Sequence, residues 1–95
     1  MIKISIKEDE IIIKGHSGYA QEGSDIVCAS VSSIAITTLN SLLRIDEDCI
    51  EYVEKDGYLD IKIKKHNETI DKLINNMIDL FKELEKDYKK YIEIR

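Results

Sequence analysis

One segment of the chain, GHSGYAQEGSDIVCASVSS (Gly15 to Ser33), places His16 and Cys28 at opposite ends of a glycine-rich loop. These two residue types suffice for thiol-based acyl transfer. The imidazole takes the thiol proton, the thiolate attacks a carbonyl, and the imidazolium returns the proton to the leaving amine. Cys28 falls in the first turn of an apolar stretch that reads as a helix. With Asp25 as N-cap it is the third helical position; with Ser24 as N-cap it is the fourth. Helix starts favour a thiolate, and their unpaired N–H groups can stabilise an oxyanion. The run from Ser17 to Ser24 is long enough to bring His16 back beside that helix start. Gly15, Gly18 and Gly23 supply mobility and room for a substrate backbone. The plain alternative is that a cysteine in a buried helix is inert packing, and spacing alone leaves both readings open.

Other chemistries fit the segment less well. A glycine-rich turn entering a helix can hold phosphate, but no Gly-Lys-Ser/Thr follows, and GHSG does not match G-x-G-x-x-G. Zinc could recruit His16, Cys28, Cys49 and His66. No C-x-x-C or H-x-x-x-H spacing supports that.

The elements that must position these residues are legible from periodicity. Ile2, Ile4 and Ile6 alternate with polar residues, which marks a half-buried strand. The acidic EDE turns the chain into a second strand, Ile11 to Lys14. The stretch DIVCASVSSIAITTLNSLLRI, almost without charge, predicts a helix buried at the centre of the fold. Ala29, Ser30, Ser32 and Ser33 would let other backbone approach it. Ile50–Glu54 and Tyr58–Lys64 flank Lys55-Asp56-Gly57, and Asp-Gly between alternating runs is a strong hairpin signal. Asn67 is the N-cap of a last helix. Its stripe of Ile70, Leu73, Ile74, Met77, Ile78, Phe81, Leu84 and Tyr88 lies opposite a charged face, as in an outer amphipathic helix. The tail YIEIR alternates and reads as a short C-terminal strand. The order ββαββα, with that possible strand, defines a small α+β domain with a mostly antiparallel sheet.

Ninety-five residues, 43% of them hydrophobic, make a single domain over 1–95 with a small core. Fourteen basic and nineteen acidic residues leave a net charge of −5, which argues against nucleic acid. No run approaches the roughly 18 apolar residues of a membrane span, so no membrane partner is expected. The charged, alternating start is unlike a signal peptide, and two cysteines without disulfide-type spacing suggest a reducing, cytoplasmic setting.

The segment resembles the signature of the ribosomal-processing cysteine protease family, Prp: Gly-His-x-x-Tyr-Ala, then Gly-x-Asp-Ile-Val-Cys-Ala-x-Val-Ser. The match runs from Gly15 to Ser32, and the family's small α+β architecture suits the whole chain. The resemblance implies a cytoplasmic cysteine endopeptidase with no cofactor or metal. It implies that the enzyme removes the N-terminal extension of the large-subunit ribosomal protein numbered twenty-seven, cutting after paired aromatic residues. A homodimer and a loop that orders over peptide are also implied. Cys28 would then be the nucleophile and His16 the general base and acid, without a third catalytic acid.

Asp25 matches the motif aspartate and would support the site while capping the helix. Ser32, at i+4 from Cys28, either bonds within the site or is a small residue on a packed face. Tyr19 either contacts substrate or anchors the loop. Ser17 stands where the family commonly has alanine, a departure with no evident chemical consequence. Cys49 reads as structural and His66 as a solvated surface residue. The alternative function is a non-catalytic ribosome-associated module that binds a ribosomal protein or peptide without cutting it.

Overall fold

The computed structural model describes residues 1–21 and 23–95. The chain runs β1 (Ile2–Ile6), β2 (Glu10–Lys14), α1 (Ile26–Ile45), β3 (Ile50–Lys55), β4 (Tyr58–Ile63), α2 (Glu68–Asp87) and β5 (Ile92–Ile94). The α+β architecture expected from periodicity is therefore present, including the short last strand. One five-stranded sheet has the order β3-β4-β2-β1-β5. All neighbours are antiparallel except β1 and β5, which pair in parallel with Ile2 opposite Ile92.

Register explains the core. Ile4 lies opposite Ile13, Ile13 opposite Leu59, and Ile11 opposite Ile61. Cross-strand partners share a face, and all of these residues are buried. The other face carries Lys3, Lys14, Asp60 and Lys62 and is left to solvent, as antiparallel sheets allow. Both helices pack together over the apolar face. Burying Leu39, Leu42, Ile70, Met77 and Phe81 there stabilises the two-layer stack by roughly 1.5–3 kcal/mol per large side chain before entropy is counted.

The apolar stripe of α2 behaves as expected, with Asn67 Oδ1 accepting from Ile70 N–H at 2.8 Å. Tyr88, the last residue of that stripe, packs against the core and is also the C-cap, its N–H bonded to the Leu84 carbonyl. The central burial expected of α1 is only half met. Val27, Val31, Ala35, Thr38, Leu39 and Leu42 are buried, but Ala29, Ser33, Thr37, Asn40 and Arg44 face solvent beside Ile26, which is 51% exposed. Lack of charge was a poor guide here, because serine and threonine tolerate solvent as readily as packing. The same feature corrects the membrane reading. By length and composition α1 is apolar enough to cross a bilayer, although here its apolar side lies on the sheet.

The sheet order brings five parts of the chain to one end of the molecule. These are the start of β1, the end of β2, the β3–β4 turn, the start of α1 and the segment after α2. The main-chain N–H of Gly15 donates to the Gly57 carbonyl at 2.8 Å and ties the β2 exit to that turn. A Cβ on Gly15 would stand 2.5 Å from the Met1 carbonyl oxygen, and its φ is +93°. Gly15 is thus required by close packing and a left-handed backbone. It gives the strand exit its shape, and it lines the hollow shared by His16 and Cys28.

Candidate active site

Asp25, and not Ser24, caps α1. Its Oδ1 accepts from the N–H groups of Val27 and Cys28, both at 3.0 Å. Cys28 is therefore the third helical residue, at the positive end of the helix dipole. The cap also corrects one expectation. The N–H groups of Val27 and Cys28 are bonded to Asp25, so they are not free oxyanion donors. Asp25 is buried, and its other oxygen, Oδ2, accepts from the Ser17 hydroxyl and from the Ala20 N–H at 3.4 Å. The Ser17 hydroxyl first, and then the Cys28 N–H, hold the Asp25 carboxyl down to about 2.

Cys28 is half-buried and reduced. Its sulfur lies 3.2 Å from the Ser17 nitrogen, whose N–H points at it, and 3.6 Å from Ser17 Oγ. His16 lies across from it, with Nε2 3.9 Å from Asp56 Oδ2. The His16 and Asp56 side chains are 66% and 94% exposed, so solvent screens that pair. Among the described residues no hydrogen bond joins His16 to Cys28, whose sulfur is held by Ser17. Catalytic contacts in ligand-free sites are often long and tighten on binding.

Two adjoining hollows meet at this pair. One, of about 530 Å³, runs between α1 and the β3–β4 hairpin and includes Val31, Ile36 and Leu59. The other, of about 460 Å³, runs under the loop and includes Gly18, Gly23 and Asp25. Both are lined by His16, Cys28, Ser32 and Asp56. A groove with a thiol and an imidazole at its middle can receive an extended chain on both sides of one bond.

The remaining candidates separate cleanly. Ser32 is exposed and lines both hollows, one turn beyond the thiol. Tyr19 lines neither. Its ring meets Tyr88 and Tyr91 edge to face, with centroids 5.8 and 5.2 Å away, so it anchors the loop. Cys49 is fully buried, its Sγ 3.5 Å from the Leu42 carbonyl oxygen. His66 lies at the surface as expected, 49% exposed, and is paired there: Nδ1 is 2.7 Å from Asp71 Oδ1 and Nε2 is 2.6 Å from Asp9 Oδ1.

Periodicity and spacing do not mark Ser17, the Asp56-Gly57 turn or the Tyr88/Tyr91 pair as neighbours of the site. Only Ser17 had left a signal, as the departure from the family signature. The other two approach the site through tertiary packing.

A thiol at a helix start, facing an imidazole across a peptide-sized groove, defines the constellation of a thiol hydrolase. A family model described as cysteine protease Prp matches residues 1–93. The chain belongs to that family, and it is a cysteine protease by class. It is 39% identical over 54 residues to the ribosomal processing cysteine protease Prp of Mycoplasma genitalium, covering 57% of this chain and 52% of that protein. It is 23% identical over 91 residues to the Prp of Staphylococcus aureus, covering 93% and 86%. The fold matches the crystal structure of S. aureus Prp with a covalently linked product peptide. The TM-score is 0.88 at 20% identity, over 99% of this chain and 95% of that one.

Proposed function

We propose that this chain is an endopeptidase in which Cys28 is the nucleophile and His16 the general base and acid. The observation that carries this is the shared lining of the groove: Cys28, at the third position of α1, opens onto both hollows opposite His16. His16 takes the thiol proton, and Sγ attacks the scissile carbonyl carbon. The amine leaves with the proton from His16, and water then hydrolyses the thioester. Asp25 fixes the helix start, and Ser32 lines the groove where a peptide would lie.

The substrate is the N-terminal extension of the large-subunit ribosomal protein numbered twenty-seven, cut after paired aromatic residues in the cytoplasm. The family resemblance supports this reading, and so do S. aureus Prp structures described with a substrate peptide and with a product peptide. The protein acts as a homodimer. The solvent face of α1, uncharged from Ile26 through Ala29, Ser33 and Thr37 to Asn40, suits a second copy of the chain; sedimentation of a monomer at micromolar concentration would refute this.

The enzyme is tested by incubation with a peptide of that extension. Cys28→Ala and His16→Ala each abolish cleavage, and Cys49→Ala does not. Cleavage by Cys28→Ala would overturn the assignment. Binding of the peptide by wild type without turnover would favour a non-catalytic ribosome-associated module.

A further inference from the structure

Among the described residues, both polar partners of the Cys28 sulfur belong to Ser17. The backbone N–H of Ser17 donates to Sγ at 3.2 Å, and the thiol faces Ser17 Oγ at 3.6 Å. That hydroxyl has two further engagements. It donates to Asp25 Oδ2 and accepts from the Tyr19 N–H at 3.1 Å. A hydroxyl carries one proton and two lone pairs. Its proton is committed to the Asp25 carboxylate, so it offers the sulfur only a lone pair. A lone pair accepts from S–H and repels a thiolate. Ser17 is 3% exposed, so bulk water does not take over its bonds.

We propose that Ser17 is a positioning residue that holds Cys28 in its protonated form: its hydroxyl, oriented by Asp25, accepts a hydrogen bond from the thiol S–H until His16 takes that proton. This rests on the reading of Cys28 as nucleophile. In the resting site the sulfur is satisfied twice, accepting one N–H and donating one S–H, while His16 stands by the Asp56-Gly57 turn. Activation is a single proton transfer. The S–H bond breaks, an N–H bond forms on the imidazole, and the thiolate keeps the Ser17 N–H. No oxidant or co-reactant enters.

Other charged or titratable groups line the hollows shared with the thiol: Asp25 from the helix cap, His16 from the loop, and Glu54, Lys55, Asp56 and Tyr58 from the β3–β4 hairpin. Among the described residues none of them hydrogen-bonds Sγ. The Ser17 hydroxyl is the group whose polarity bears directly on the sulfur.

The test is the pH dependence of Cys28 alkylation by iodoacetamide in the whole chain, with the modified residue located by mass spectrometry. In Ser17→Ala the midpoint moves down by about half a pH unit, and alkylation at neutral pH is about threefold faster. Asp25→Asn supplies the control, because asparagine also caps well. Its carboxamide donates to Ser17 Oγ and turns the hydroxyl proton toward the sulfur. In that background Ser17→Ala moves the midpoint up. Opposite signs in the two backgrounds establish the role. No downward shift in the first background, or shifts of the same sign in both, overturns it. Alkylation is read without turnover, so a Cys28→Ala protein that still cleaved peptide would sink the nucleophile assignment and leave this measurement standing.

Discussion

The imidazole of His16 occupies the space that a side chain on Gly57 would need: a Cβ there would stand 2.8 Å from Nε2. The β3–β4 turn thus has two uses for its glycine, since φ at Gly57 is +65° and the adjoining space belongs to the His16 ring. Gly57→Ala should lose about 1–2 kcal/mol to backbone strain, lowering the melting temperature by several degrees. Peptide cleavage should fall about tenfold or more, because the ring must shift from its place. A folded Gly57→Ala protein with wild-type cleavage would refute this placement of His16.

The aromatic anchor of the loop gives a prediction about order. Tyr19 meets Tyr91 and Tyr88 edge to face, and such pairs are worth about 0.5–1.5 kcal/mol. Tyr91→Ala should raise the open population of the loop by about two- to tenfold. Limited proteolysis between Gly18 and Gln21 should accelerate by that factor while Cys28 alkylation stays site-specific. An unchanged proteolysis rate would mean that the rings touch without holding the loop.

His66 bridges the β1–β2 turn and the first turn of α2, and Asp71 and then Asp9 raise its pKa above the ordinary 6.5. A group whose folded pKa is raised stabilises the fold fully below its unfolded pKa, and the gain is lost as pH rises through the folded value. The melting-temperature gap between wild type and His66→Ala should therefore be widest near pH 6. It should narrow as the pH climbs into the alkaline range. A gap that widened with pH would contradict the bridge.

The two cysteines should be chemically distinct. Burial, followed by the nearby Asp46 charge, pushes the Cys49 thiol up, and no part of its side chain is exposed. In the native protein iodoacetamide should label Cys28 alone, with Cys49 labelled only after denaturation. Cys49→Ala should cost about 1–2 kcal/mol of stability and leave cleavage within about twofold. Labelling of Cys49 in the folded protein would contradict its burial.

The elements themselves were readable because their causes are local. Alternation at Ile2, Ile4 and Ile6 follows from the pleat, and the stripe from Ile70 to Phe81 follows from the helical repeat. Spacing put Cys28 in the first turn of α1, but left Asp25 and Ser24 both open as the cap until the Asp25 carboxylate was seen to accept from Val27 and Cys28. What escaped was tertiary. His16 meets the Asp56-Gly57 turn because β4 lies beside β2 in the sheet, and no repeat in the chain announces that neighbour. Ser17 differs from alanine by one oxygen, whose value appears only once Asp25 and Cys28 stand next to it. The open face of α1 was misread because composition without charge looks the same in a core and at an uncharged surface.

The parallel pairing of β5 with β1 has a consequence for when the loop is seated. Ile92 lies beside Ile2, and the rings that seat Tyr19 come from Tyr88 and Tyr91, next to that strand. Contacts so distant along the chain form only after a large loop has closed. On a ribosome still making this protein, His16 and Cys28 would emerge long before the segment that steadies the loop between them. The loop between His16 and Cys28 therefore gains its aromatic seat only once Tyr88 and Tyr91 have folded against Tyr19.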